Sequence, residues 1–254
     1  MTILADRRLI VTGANSGIGH AAALLFAREG ARLILCARNA ERLAAVAEEV
    51  SSLGGEARCV SGDVALATTH EACIAAAQDA FGGLDGAFNN VGLVGPMAPL
   101  ADIAAADFAE VLAVNLIAAH HAVRAQVPAM LAGEGGALVF TSSFVGNSVA
   151  LPGMGAYASA KAGLTGFVKS LAADYAHMGI RANALLPGGT DTAMAGSEEN
   201  KAWAAGLHPM RRIARPEEVA QAALFLLSDM ASFVTGSSLW ADGGNHATKV
   251  QAPW

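Results

Sequence analysis

Leu9-Ile10-Val11-Thr12-Gly13-Ala14-Asn15-Ser16-Gly17-Ile18-Gly19 is the stretch that decides the fold. Four strand-forming residues run into a glycine-rich turn. Ile18, Ala21, Ala22, Leu25 and Phe26 then recur at helical spacing until Gly30 stops the helix. A strand that turns through glycines into a helix brings free N–H groups and the positive end of a helix dipole to one point. Gly13, Gly17 and Gly19 let the backbone turn sharply and approach a pyrophosphate closely, at GxxxGxG rather than GxGxxG spacing. Taken alone, the pattern also fits an ordinary strand–helix turn that happens to be rich in glycine.

The alternation begun here continues along the chain. Short apolar runs at 32–37, 57–60, 86–89, 137–141, 181–186 and 238–240 read as strands, with helical stretches between them. One such helix spans 41–53 and stops at Gly54-Gly55. Strand–helix alternation predicts an α/β fold: a three-layer, Rossmann-like, doubly wound parallel sheet with right-handed crossovers. No linker or repeat interrupts it, so one domain covering residues 1–254 is expected. The least regular stretch is 188–215, a candidate lid over a site.

Composition narrows the function classes. Hydrophobic residues are 54% of the chain and charged residues 15%, which argues against disorder and obliges a membrane span to be considered. The longest uncharged stretch, 135–160, contains Gly146, Asn147, Pro152, Gly153 and Gly155 and cannot span lipid as a helix. It reads as a buried strand followed by a loop. The N-terminus has no secretory pattern. Cys36, Cys59 and Cys73 form no CxxC pair, so neither a disulfide framework nor a metal site is expected, and the simplest setting is the cytoplasm. A net charge of −6 without a basic run argues against nucleic acid.

Two further patterns bear on chemistry. In dinucleotide-binding folds an acidic residue about 20 positions after the glycine turn holds the adenosine ribose hydroxyls and repels a 2′-phosphate. Here that region reads Cys36-Ala37-Arg38-Asn39, with no acid and with Arg38, whose guanidinium can grip a phosphate. This points to NADP(H) over NAD(H), although Arg38 would also serve as a solvated loop cation. Tyr157 and Lys161 lie one helical turn apart. A cation about 4–5 Å from a phenol contributes on the order of 3–4 kcal/mol at an effective dielectric of about 20. That lowers its pKa by roughly 2–3 units, toward proton exchange near neutral pH. A lone YxxxK pair, however, more commonly marks a half-buried Tyr with a snorkelling Lys.

Together these segments resemble the short-chain dehydrogenase/reductase family along nearly the whole chain. TGANSGIG at 12–19 is similar to its TGxxxGIG turn, and Asn89-Asn90-Val91-Gly92 to its NNAG, with Val91 for Ala. Gly62-Asp63-Val64 resembles its adenine-contacting turn, while Pro187-Gly188 and Asp242-Gly243-Gly244 resemble its later landmarks. The resemblance implies an oxidoreductase that moves a hydride between a nicotinamide dinucleotide and a carbonyl or alcohol. It implies a catalytic set of Asn115, Ser143, Tyr157 and Lys161. Ser142 stays open as the serine, and Asn115 is either a core amide bonded to backbone or the holder of a water in a proton relay. The implied cofactor contacts are Gly13, Asn15, Ser16, Gly17, Ile18, Gly19, Arg38, Asp63, Val64, Asn90, Tyr157, Lys161, Pro187, Gly188, Thr190 and Thr192.

The resemblance also implies that 188–215 closes over substrate. Met194, Trp203, Leu207 and Met210 in that stretch, with Phe144, Val145 and Met154 opposite, suggest an apolar small molecule. The same residues would also simply pack a lid. Apolar helices around 115–130 and 157–177 suggest subunit contacts, the resemblance implies a homotetramer, and the tail 246–254 is expected to reach a neighbouring subunit or fray. His120, His121 and His177 lack ligand spacing and read as background. The competing readings are a non-catalytic dinucleotide-binding sensor on the same fold and an NAD-dependent alcohol dehydrogenase.

Overall fold

Strand β1 (Arg8–Thr12) shows why the sheet is central: Leu9 and Val11 point to one face, Ile10 to the other, and all three are buried. A strand buried on both faces must be covered by helices on both. In the computed structural model, which describes residues 2–248, this is the case. Strands β2 (Arg32–Ala37), β3 (Glu56–Ser61), β4 (Gly86–Asn89), β5 (Gly136–Thr141), β6 (Ile180–Pro187) and β7 (Ser238–Ala241) complete the sheet. The order is β3-β2-β1-β4-β5-β6-β7, all parallel. The expected fold class is the observed one.

Helices α1 (Gly17–Arg28), α2 (Ala40–Ser52), α3 (Ala67–Phe81), α4 (Ala105–Leu112), α5 (Ala118–Leu131), α6 (Gly155–Tyr175), α7 (Glu198–Ala205) and α8 (Pro216–Leu227) follow the strands. One core packs α1, α2 and α8 against Leu9, Val11, Leu33 and Leu35, and the other packs α3, α5 and α6 against Ile10, Ile34, Leu138 and Phe140. Phe26 of α1 meets Phe88 of β4 edge-on, with ring centroids 6.1 Å apart. At the β1/β4 boundary the strand order reverses, which opens a crevice at the carboxyl ends of the strands.

Three expectations are refined. The uncharged stretch 135–160 is strand, then loop, then the first turns of α6, because Gly155 begins the helix. The stretch 188–215 is less irregular than its sequence suggests and holds a 3₁₀ turn (Ala193–Ala195) and α7, capped by Ser197. Its two ends are stitched together: Asp191 N–H donates to Ala214 O at 2.8 Å, and Ala214 N–H to Gly189 O at 2.8 Å. Between α4 and α5 the helix widens into a π turn, Ala113–Ile117. Of the tail 246–254, residues 249–254 lie outside the described residues. Among the described residues no helix is long and apolar enough to cross a membrane.

Candidate active site

The glycine turn forms as its spacing requires. Gly13 and Gly17 take positive φ (+68° and +52°), and a Cβ on Gly19 would lie 2.1 Å from Gly13 O. Ser16 is the N-cap of α1 but makes no side-chain capping bond, so the first N–H groups of the helix face outward unclaimed by a cap. This cradle suits the diphosphate of a dinucleotide. Asn90 braces it from below: its N–H donates to Thr12 Oγ1 at 2.9 Å, and its Oδ1 accepts from Thr141 Oγ1 at 3.1 Å. Three strand ends, of β1, β4 and β5, are thereby tied together. Thr192 closes on the turn from the far side, with its Cγ2 2.9 Å from where a Gly17 Cβ would sit.

Beside the cradle, β2 ends on buried Ala37, and exposed Arg38 follows. The Arg38 carbonyl accepts from Ser61 Oγ at 3.1 Å, while its guanidinium makes no hydrogen bond or ion pair among the described residues. Asp63 spends its carboxylate on its own turn, accepting from Ala65 N–H at 2.9 Å. Val64 is buried, and its carbonyl is engaged by His70 Nε2 at 2.8 Å. Pro187 ends β6; Gly188 and Gly189 follow it, and Thr190 Oγ1 donates to Gly188 O at 3.0 Å.

The two adjacent serines after β5 have different jobs. Ser142 Oγ donates to Lys161 O at 2.7 Å and accepts from Asn147 Nδ2 at 3.1 Å, so its hydroxyl is committed to α6 and the loop. Ser143 Oγ accepts from Val145 N–H at 3.1 Å and lies near enough to the Tyr157 phenol to draw its pKa down. Geometry therefore brings Ser143, not Ser142, to the tyrosine.

Lys161 lies in the turn of α6 after Tyr157, with Nζ 5.6 Å from the ring centroid. Nζ donates to Thr141 O at 2.6 Å. Burial pulls its pKa down to about 7. The expected lowering of Tyr157 by Lys161 needs correction. Burial of the phenol dominates and pushes Tyr157 above its ordinary value, with nearby Ser143 opposing. The ammonium that was to stabilise the phenolate is itself disfavoured by the same burial.

Asn115 sits in the π turn, and its amide is fully used. Nδ2 donates to Leu93 O at 2.7 Å and Val111 O at 2.8 Å, and Oδ1 accepts from Leu93 N–H at 3.2 Å. These are the backbone bonds of a core amide. The side chain nonetheless stays next to the lysine: a Cβ on Gly92 would meet Asn115 Oδ1 at 3.1 Å and Lys161 Nζ at 3.3 Å.

Around Tyr157, Phe144, Val145, Val111 and Ala156 form a small apolar cluster that Met154, Leu207 and Trp240 join from its edge. Of the apolar residues noted in 188–215, Leu207 packs there, whereas Met194, Trp203 and Met210 are exposed. Two organising residues escaped the sequence. Asn147 bonds Ser142 Oγ and the carbonyls of Ser143 and Lys161. His208, within the stretch 188–215, is buried. Only the adjacent glycines at 188 and 189 hinted at the latter. Among the described residues, no three His, Cys, Asp or Glu side chains gather to hold a metal.

Comparison with known proteins identifies the family. The family model described as Enoyl-(Acyl carrier protein) reductase matches residues 13–246. The chain is 39% identical to cyclohexanol dehydrogenase of Acinetobacter sp. (strain SE19), covering 92% of each chain. It is also 39% identical to 2,5-dichloro-2,5-cyclohexadiene-1,4-diol dehydrogenase of Sphingobium indicum, covering 96% of this chain and 98% of the other. The crystal structure of carveol dehydrogenase from Mycobacterium avium in complex with NAD superposes with TM-score 0.93 at 27% identity, covering 98% of this chain and all of the other. With its glycine cradle, parallel sheet and extent of match, the chain belongs to the short-chain dehydrogenase/reductase family, oxidoreductases that act on alcohols and ketones with a nicotinamide dinucleotide.

Proposed function

We propose that the chain catalyses reversible, NADPH-dependent reduction of an apolar ketone to a secondary alcohol, with Tyr157 as the proton-transfer residue. The observation that carries this reading is the approach of Ser143 to the Tyr157 phenol at the edge of an apolar cluster, with Lys161 buried one turn below. The bound nicotinamide supplies the hydride. Tyr157 O–H gives its proton to the carbonyl oxygen as negative charge builds there. Ser143 Oγ–H donates a hydrogen bond to the same oxygen. Lys161, poised between ammonium and amine, passes a proton to refill the phenol. Asn115 holds the Leu93 backbone beside Lys161 and keeps that route open. Both of the curated relatives described above are named for six-membered carbocyclic alcohols. A ring of that size also suits walls made of Phe144, Val145 and Met154, so the substrate class is a cyclic ketone or alcohol.

Preference for NADP(H) rests on Ala37 in place of an acid and on the uncommitted guanidinium of Arg38. The NAD-bound structural relative supports NAD(H) as the second reading. In both, Asn15, Ser16, Ile18 and Val64 contact the dinucleotide through the cradle and the adenine side, 188–215 serves as lid, and the enzyme works in the cytoplasm as a homotetramer. Steady-state kinetics with cyclohexanone, and with cyclohexanol in reverse, discriminate between them. A guanidinium–phosphate hydrogen bond is worth about 1.5–3 kcal/mol, so Arg38→Ala should cut kcat/KM for NADPH roughly 10- to 100-fold and leave NADH nearly unchanged. An NADH preference that persists in Arg38→Ala would overturn the NADP(H) assignment. Dinucleotide binding without turnover across a broad ketone panel would instead favour the sensor.

A further inference from the structure

We propose that His208 is a positioning residue whose imidazole latches the stretch 188–215 to the end of the sheet and so shapes the substrate side of the site. The latch rests on the reading of that site as a ketone reductase. His208 is 1% exposed, although it lies only three residues past a helix, α7, that has no buried residue. Its Nδ1 lies 2.8 Å from Asp242 O, and Gly189 N–H donates to its Nε2 at 3.0 Å. A backbone N–H can only donate and a carbonyl can only accept. The two partners therefore specify the neutral imidazole with its proton on Nδ1.

The glycine pair after β6 is shaped for this ring. A Cβ at 188 would lie 2.7 Å from His208 Cε1, and one at 189 would lie 3.0 Å from Nε2. Two consecutive residues without side chains let the imidazole lie flat on the strand end, between β6 and the turn after β7. The other side of the ring meets Phe144 edge-on, with centroids 5.6 Å apart, and Phe144 directly follows Ser143. One imidazole thus touches the lid base, the sheet and the loop that carries the catalytic serine. The preceding residue, Leu207, joins the apolar cluster around Tyr157. Releasing the latch would move that wall of the proposed substrate pocket.

Glutamine can place a carbonyl oxygen where Nε2 sits and still accept from Gly189 N–H, whereas asparagine reaches only the Nδ1 position. Hydrogen exchange at the Gly189 amide and ketone kinetics should therefore divide the variants. His208→Gln is expected to keep slow exchange and a near-normal ketone KM. His208→Asn and His208→Ala are expected to speed exchange and raise ketone KM, each about tenfold, the loss of one hydrogen bond. In all three, kcat should change by less than about threefold, well short of one hydrogen bond. Unchanged exchange in His208→Ala, or Asn performing as well as Gln, would overturn the latch. If the wild type reduces no ketone, the proposed reaction fails, and the exchange comparison alone decides the latch.

Discussion

At the scale of single residues, the site concentrates groups held in unfavourable states. Lys161 is a fully buried amine whose pKa is brought down to about 7. Below pH 7 it is charged in both folded and unfolded chains. Between pH 7 and its ordinary value of 10.5, the unfolded chain holds the proton and the folded chain does not. Stability linked to this residue therefore rises with pH across that window and is lowest at and below pH 7. Replacing Lys161 by Met removes the penalty and the slope together. Urea melts of Lys161→Met should show greater stability at pH 7, on the order of a few kcal/mol, converging with wild type near pH 10. Turnover should fall by about 10²-fold or more. A variant that is less stable at pH 7, or that keeps the wild-type slope, would show that the buried ammonium is not under strain. The pair Ser142 and Ser143 makes a related point about legibility. The family resemblance favours Ser143 but leaves Ser142 open, because adjacent hydroxyls after one strand look alike. Only the hydrogen bond of Ser142 to Lys161 O, on a helix 19 residues away, separates them.

At the scale of elements, strands were the most legible feature. Their apolar runs are long enough that the bounds came within about a residue or two, and β2 and β4 agree at both ends. Helix α7 was not legible, for a physical reason: it buries no residue, so its sequence carries no apolar period to read. The π turn at Asn115 was equally silent, since an i→i+5 step leaves the same composition as an α turn. The glycine turn was legible as a motif, and the structure adds which glycine is indispensable. Gly19 is helical, so an alanine there gains up to about 1 kcal/mol of helix propensity. Against that gain, its Cβ would sit 2.1 Å from Gly13 O, and backbone cannot yield as a side-chain end can. Overpacking typically costs about 1–3 kcal/mol, so the clash wins and the cradle must open. Gly19→Ala should weaken NADPH binding at least about tenfold in a fluorescence titration, with a lower Tm. Unchanged affinity would mean that the close approach of α1 to the turn does not shape the cofactor site.

At the scale of the molecule, the proposed assembly turns on surfaces that a single sheet leaves uncovered. Phe233 is fully exposed and Met230 is 67% exposed, both near the start of β7, whose outer edge has no strand partner among the described residues. Ile117 at the head of α5 and Met178 after α6 are exposed as well. Burying one phenylalanine is worth about 1.5–3 kcal/mol. In a two-fold interface each residue occurs twice, so one substitution acts twice on the same contact. Phe233→Asp should therefore weaken a two-fold contact at β7 by roughly 3–6 kcal/mol, about 10²- to 10⁴-fold in its dissociation constant. Sedimentation velocity at micromolar concentration should show a tetramer for the wild type and a smaller species for Phe233→Asp. Because Phe233 lies outside the Tyr157 cluster, turnover per subunit should survive wherever the smaller species stays folded. A wild-type chain that sediments as a monomer would sink the homotetramer. A Phe233→Asp chain that remains a tetramer would move the contact from the β7 edge to the α5 and α6 faces, where Ile117 and Met178 become the residues to change.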